Sequence, residues 1–527
     1  MNCSWNFPYA SQRSPVFARN TVATSQPLAA QAGVQMLLKG GNAVDAALAT
    51  AITLTVVEPT SNGIGSDAFA IVWDGQTLHG LNGSGRSPRA WSPERFAGQE
   101  SMPMVGWDTV TVPGAVDVWS TLSERFGRLP FRELFEPALH YADEGFHVSP
   151  GIAAQWSQAA HFFEDSPDFV ETFLPEGRAP RAGELVRFPH HTRTLAEIAA
   201  TAGASFYRGK LARQTAAHAA ATGGAMTLED LAEHTSEWVE TIALPYLDVQ
   251  VHELPPNGQG LAALIALGLL QHCEIANYPV DSPDSIHLQV EAMKIAFAEA
   301  HRHIADPAHM AIHPHALLDE TFLAHRAREI HPDRARVPAA SIPREKGTVY
   351  LTTADEQGMM VSFIQSNYCG FGSGIVVPGT GISLQNRGSC FTLQEGHPNR
   401  VAGGKRPYHT TIPAFVMKAG QPLMSFGVMG GHMQPQGHVQ VVLRIFLYQQ
   451  NPQAALDAPR WHVTEDFRLA LEPGFDPLEV TELKRRGHSI VENPPAGLFG
   501  GGQIITRLED GYCAASDPRK DGQPVGF

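Results

Sequence analysis

Thr348 is the residue of this sequence with the clearest capacity for covalent chemistry. It follows Gly347 at the start of an alternating run, Gly347-Thr348-Val349-Tyr350-Leu351-Thr352-Thr353-Ala354-Asp355. A polar segment, Ile342-Pro343-Arg344-Glu345-Lys346, precedes it. A threonine hydroxyl is a weak nucleophile, and an adjacent amine is one of the few groups that can activate it. Cutting the chain between Gly347 and Thr348 would place hydroxyl and free amine on one residue. Further along, Gly427-Val428-Met429-Gly430-Gly431-His432 joins a predicted strand to a predicted helix. Such a junction leaves backbone N–H groups free to hold a developing oxyanion. Gly500-Gly501-Gly502 is a second glycine run.

Other chemistries find less support. Asn82-Gly83-Ser84-Gly85 lacks the strand-to-helix elbow of a serine hydrolase, and no glycine pattern of a phosphate loop opens a helix. Pro314 separates His313 from His315, and His190 and His191 diverge as neighbours. No HExxH and no Cys/His cluster at zinc spacing occurs, so no metal or cofactor is expected and the histidines read as surface or capping groups.

These residues need a scaffold. Strand, turn at Glu356-Gln357-Gly358 and strand are predicted over 348–354 and 359–366. An alanine-rich helix pair spans the region from Ser25 to Thr55. Gly40-Gly41 ends the first helix and Asn42 caps the second. Ala68–Trp73 and Thr77–Leu81 read as strands around an Asp74-Gly75 turn. Residues 115–240 read as mostly helical, and strands dominate again after Thr348. Residues 1–25 read as a polar lead-in and 305–347 as an exposed, mobile linker. Helices and strands in these blocks suggest a layered α+β body with one shared core.

The 527 residues carry a net charge of -15 and no basic block, which argues against nucleic acid or an anionic membrane as partner. Five scattered cysteines, with no CxxC, suit a reducing compartment. No signal-like start and no membrane-length apolar run is seen, so a cytoplasmic protein is expected.

The sequence resembles the γ-glutamyltransferase family over nearly its whole length. Gly40-Gly41-Asn42-Ala43-Val44-Asp45-Ala46-Ala47, Glu58-Pro59 with Gly63-Ile64-Gly65, Val112-Pro113-Gly114 and Pro255-Pro256-Asn257-Gly258-Gln259-Gly260 are similar to the large subunit. Thr348 with Asp355 and Gly358, Phe371-Gly372-Ser373-Gly374, Gly404-Lys405-Arg406, Gly430-Gly431, Ala458-Pro459-Arg460 and Ser516-Asp517-Pro518-Arg519 are similar to the small subunit. The resemblance implies an N-terminal nucleophile hydrolase with a four-layer αββα fold. It implies cleavage between Gly347 and Thr348, giving chains 1–347 and 348–527 that form one structural unit, a heterodimer that could associate further. Thr348 would be the nucleophile, Ser366 its hydroxyl partner, and Gly430 and Gly431 the oxyanion donors.

Departures from the family pattern bear on the substrate. Ser84 stands where the transferases have an arginine for the glutamyl carboxylate, and Cys390 where they have an aspartate for the amino group. His409-Thr410 replaces a serine pair. Tyr368 takes the place of an asparagine, with Asn367 one position away. The sequence therefore resembles the acylase/amidohydrolase branch, with Arg86 and Arg387 as candidate carboxylate clamps and His409 as a further polar contact. A small acidic amide is the expected substrate, with oxamate hydrolysis to oxalate and ammonia, a step of purine nitrogen catabolism, the favoured case. The alternatives are a γ-glutamyl hydrolase or transferase acting on glutathione, and an unprocessed binding protein without activity.

Overall fold

The computed structural model describes residues 13–336 and 347–527. Cys3 and part of the expected linker, 337–346, lie outside the described residues.

Alternation of apolar and hydroxyl side chains after Gly347 gives the strands Val349–Ala354 and Met360–Ser366, paired antiparallel from Val349↔Gln365 to Ala354↔Met360. Both are buried along their whole length. They sit inside a seven-stranded antiparallel sheet. Its order is Gln523–Gly526, Thr21–Thr24, Val349–Ala354, Met360–Ser366, Asp67–Trp73, Leu78–Asn82, Glu237–Val239. Strands from before and after Gly347 thus share one sheet.

A second seven-stranded sheet stacks on the first. Its order is Val16–Ala18, Gly511–Ser516, Gly501–Leu508, Gln421–Met429, Ala414–Lys418, Val249–Glu253, Ile242–Tyr246. Phe69, Ile71, Tyr350, Ile364, Phe415 and Ile505 fill the space between the two. The approach is close at Gly427, where a Cβ would lie 2.5 Å from the Tyr350 ring. Helices cover both outer faces. The pair Pro27–Leu38 and Ala43–Val57 packs on the first sheet, and Gly260–Gln271, Pro283–His303 and Met433–Val442 on the second. The architecture is the α+β, four-layer αββα arrangement expected from the sequence.

Helix ends follow the local chemistry. Asn42 and Asp45 form a reciprocal capping box, and Asp355 accepts a hydrogen bond from Ala43 N–H at 2.8 Å. Asp355 also accepts from Gln357 and Met359, so one buried carboxylate ties the hairpin turn to a helix N-terminus. No helix among the described residues is long and apolar enough to cross a membrane.

Three readings need correction. Residues 16–24 are not a lead-in, because Val16–Ala18 and Thr21–Thr24 are strands, one in each sheet. Residues 305–336 hold 3₁₀ turns and the helix Glu320–Ala327 in place of an exposed linker. A few apolar anchors suffice there: Leu317 and Leu323 are buried, and Leu323 fills the space left by the missing side chain of Gly268. The reading of the histidines as surface or capping groups holds for His309, His313 and His315, which are exposed, but not for His191, His234, His287, His409, His432, His438, His462 and His488, which are buried.

The Ala458-Pro459-Arg460 and Ser516-Asp517-Pro518-Arg519 motifs build an interior ion network. Arg460 Nη2 donates to Asp517 Oδ2 at 2.6 Å and Nη1 to the Phe499 carbonyl at 2.9 Å. Gly502 N–H and Arg519 complete the carboxylate's partners. Burial alone would raise the Asp517 carboxyl, but Arg460, Arg519 and the two N–H groups outweigh it and hold it below the ordinary range. Removing one partner of a buried pair leaves the other charge uncompensated. Asp517→Ala should therefore cost about 3–5 kcal/mol in stability, read as a lowered denaturation midpoint. Because the folded pKa lies below the unfolded one, the carboxylate's contribution is complete above the unfolded value of about 3.9 and is lost as pH falls through the folded value. The thermal midpoint of wild type should fall across that acid window, and the Asp517→Asn variant should show a shallower fall.

Candidate active site

Thr348 sits at the open end of the strand Val349–Ala354, only 2% exposed. Its Oγ1 donates to the Gly347 carbonyl oxygen at 2.8 Å. Ser366, at the end of the partner strand, donates from Oγ to the same carbonyl oxygen at 2.8 Å and lies 3.2 Å from Thr348 Oγ1. Two hydroxyls therefore converge on one peptide carbonyl. Gly347 has φ 46, and a Cβ there would lie 3.0 Å from Gly370 N, so both conformation and space call for glycine.

Ser366 is held in turn. Tyr368 N–H donates to its Oγ at 2.8 Å, and Arg387 Nη2 donates at 3.2 Å. Tyr368 adopts φ 75, a left-handed conformation that is costly for a bulky side chain. Its ring lies against the Arg387 guanidinium, 4.6 Å from centroid to Cζ. Arg387 is fully buried. Nη1 donates to Thr410 Oγ1 at 2.7 Å, while Nε has no hydrogen-bond partner. The structure thus brings Gly347, Thr348, Ser366, Tyr368, Arg387 and Thr410 into one connected group.

The buried countercharge is Asp67. Its carboxylate accepts from Gly114 N–H at 3.1 Å, from Gly85 N–H at 3.4 Å and from His409 Nε2 at 3.1 Å. Burial pushes its pKa up to about 7, against the pull of Arg387 and these N–H groups. His409 is driven well below the usual imidazole range by burial and then by Arg387 and Arg406. Thr411 N–H donates to its Nδ1, so the proton resides on Nε2 and faces Asp67. Both ring nitrogens are thus committed, and His409 braces Asp67 where the sequence suggested a substrate contact.

Gly430 and Gly431, with φ 121 and 57, link the strand Gln421–Met429 to the helix Met433–Val442. Neither N–H is committed to an acceptor among the described residues. Gln259 fixes the junction from behind, donating from Nε2 to the Gly431 carbonyl at 2.9 Å and to the Thr410 carbonyl at 2.7 Å. Gln434, at the start of the helix, reaches Thr348 Oγ1 at 3.4 Å and so links the glycine pair's helix to Thr348.

Two predicted contacts lie outside this group. Arg86 is half-exposed and pairs with Asp306 at 3.0 Å and Glu237 at 3.3 Å. Its partners come from the end of a helix and from an edge strand that sequence spacing could not bring to it. Asn367 accepts from Ser66 Oγ at 2.7 Å and donates to Ser383 Oγ at 3.2 Å, which turns it away from Thr348. Sequence reasoning missed Asp67, Gln434 and Gln259. Only Gln259 had a signal, its place in the Pro-Pro-Asn-Gly-Gln-Gly motif. A cavity of about 1100 Å³ adjoins the group, with Tyr368, Cys390, Tyr408, Lys294, Arg302 and Arg326 in its wall.

The family profile described as gamma-glutamyltranspeptidase matches residues 29–527. A glutathione hydrolase-like YwrD proenzyme of Bacillus subtilis is 35% identical over 525 residues, covering 98% of this chain and 100% of that protein. An oxamate amidohydrolase proenzyme of Klebsiella pneumoniae is 34% identical, covering 95% and 97%. Among solved structures, a cephalosporin acylase from Bacillus halodurans is 48% identical with a TM-score of 0.96, covering 100% of this chain and 99% of that one. These relatives are hydrolases, and the first two carry the name of proenzymes. The chain belongs to the gamma-glutamyltranspeptidase family, as a hydrolase of the N-terminal nucleophile type.

Proposed function

We propose that the chain cuts itself before Thr348 and that the new N-terminal threonine hydrolyses the amide of a short acid. The observation that carries this is the convergence of Thr348 Oγ1 and Ser366 Oγ on the Gly347 carbonyl. Thr348 Oγ1 attacks the Gly347 carbonyl carbon while the Ser366 hydroxyl stabilises the oxygen as it gains charge. The C–N bond breaks, the nitrogen takes a proton, and the resulting ester on Oγ1 is hydrolysed by water. Chains 1–347 and 348–527 result, and they stay interleaved because their strands share both sheets.

The freed amine then serves as base. It takes the hydroxyl proton as Oγ1 attacks the substrate amide carbon, and Gly430 and Gly431 N–H groups hold the oxyanion. The proton passes to the leaving ammonia, and water releases the acid from the ester. The buried Arg387 cation disfavours a protonated amine nearby, which keeps the base neutral. It also supplies an anchor for a substrate carboxylate. Arg387 lies one hydroxyl away from the nucleophile, through Ser366 at 3.2 Å on each side. A carboxylate reaching it can be only a bond or two from the scissile carbonyl. Oxamate meets that constraint, and the oxamate amidohydrolase relative supports it. Arg86, engaged with two acids, is not needed for this clamp. A second reading, a longer acyl group, is favoured by the adjoining cavity and by the likeness to a cephalosporin acylase. Glutathione chemistry is less favoured, since Ser84 and Cys390 offer no charges for a glutamyl head.

On a denaturing gel, wild type should run as two bands matching 1–347 and 348–527, and Thr348→Ala as one. Ser366→Ala should slow conversion by about 10²-fold, the usual loss for one oxyanion donor. A single band from active wild type refutes the mechanism. For the substrate, ammonia release from oxamate should exceed turnover of a γ-glutamyl anilide. Arg387→Met should lower kcat/KM on oxamate by about 10–10²-fold, the worth of a charged hydrogen bond. Faster turnover of a glutaryl amide than of oxamate would favour the longer acyl group.

A further inference from the structure

A second cluster of ionisable groups lies away from Thr348. The helix Pro283–His303 carries His287 and Glu291 one turn apart, and His488 follows the helix Pro477–Arg485. All three are buried. His287 Nδ1 lies 2.8 Å from His488 Nε2, and His287 Nε2 lies 2.8 Å from the His331 carbonyl oxygen. One ligand atom from each of His287, Glu291 and His488 falls within 4.8 Å of the others.

The hydrogen bonds fix where the protons are. A carbonyl can only accept, so His287 carries its proton on Nε2 and presents a lone pair at Nδ1. This is the arrangement in which a backbone carbonyl orients a metal-binding histidine. The bond to that lone pair places the His488 proton on Nε2, and His488 Nδ1, which has no partner, can take the proton when a cation replaces it between the rings. His287, donating from Nε2 and accepting at Nδ1, holds a single ring proton and is neutral in this arrangement. Neutral imidazole is the ligand form.

Charge nearby is balanced. Glu291 bonds Lys294 Nζ at 2.8 Å and Arg336 N–H at 2.9 Å. Lys294 keeps a second acceptor, the Arg336 carbonyl at 2.9 Å, if a Glu291 oxygen turns to a cation. Arg486 is compensated by Asp284 and Glu482.

We propose that His287 Nδ1, Glu291 and His488 Nε2 form a site for a divalent cation of the Zn²⁺ type, with water completing its coordination. Two imidazoles and a carboxylate suit such a borderline cation better than Mg²⁺ or Ca²⁺. His287 and Glu291 precede Thr348 and His488 follows it. On the reading that the chain is cut there, the cation would join the two chains. It would also fix His331 and Arg336, close to the end of the first chain.

The test uses full-length protein stripped with chelator, desalted and titrated with Zn²⁺ and, separately, with Co²⁺. Wild type should retain about one Zn²⁺ per chain, and Co²⁺ should give a visible d–d band of low coordination number. Both should be lost in His488→Gln. Glu291→Gln, which keeps its shape and an acceptor for Lys294, should weaken binding by at least about 10-fold. His315→Ala, which removes an exposed histidine stacked on His313, should change nothing. If His488→Gln does not fold, the Glu291→Gln affinity decides. Wild type that holds no Zn²⁺, equal binding in Glu291→Gln, or loss confined to His315→Ala overturns the site. Two bands on the gel without retained Zn²⁺ would sink this site alone and leave the Thr348 mechanism standing.

Discussion

Val349–Ala354 is hydrogen-bonded on both edges, to Thr21–Thr24 on one side and Met360–Ser366 on the other. That pairing fixes everything that touches Thr348. It sets Ser366 directly across from Thr348, one residue beyond the last paired position, so that two hydroxyls meet one carbonyl. The strand cannot slip by one residue, because every side chain would exchange faces and Tyr350 would leave the space that Gly427 opens for it. The site is therefore as rigid as the middle of a sheet, although its chemistry lies at the strand's end.

Polar groups in this interior come in matched sets. Arg387 and Asp67 are both fully buried. The strands and loops around them supply hydroxyls, N–H groups and one neutral imidazole, so that neither charge stands alone. Arg460, Asp517 and Arg519 repeat the principle at the far edge of the second sheet. Buried charges are tolerated only when paired and hydrogen-bonded. Here they also do specific jobs, since Arg387 braces Ser366 and Tyr368, while Asp517 anchors Gly502 at the start of a strand.

The family motifs divide on this view. Gly347-Thr348 and Gly430-Gly431 stand where bonds would be made and broken. Asn42 with Asp45, Gln259, Asp355, and Arg460 with Asp517 hold backbone in place. Departures from the family pattern fall between these classes: Tyr368 and Thr410 touch Arg387, and Cys390 borders both Arg387 and the cavity.

Local patterns were legible in the sequence because they depend on neighbours a few residues apart. The strand-turn-strand after Gly347, the capping box at Asn42 and the strand-glycine-helix junction at Gly430 are of this kind. The short strands at 16–24 were missed because four or fewer residues give no periodicity to read. The order of 305–336 was missed because it rests on single apolar anchors such as Leu323 fitting distant small residues. The resemblance to a family gave the layered fold and pointed to Thr348 as the candidate nucleophile. Only the tertiary structure decided that Arg387 joins Thr348 while Arg86 faces Asp306 and Glu237, that His409 serves Asp67, and that His287 meets His488. Those partners lie up to hundreds of residues apart, and sequence periodicity carries no information about which distant side chains a folded core brings within hydrogen-bond reach.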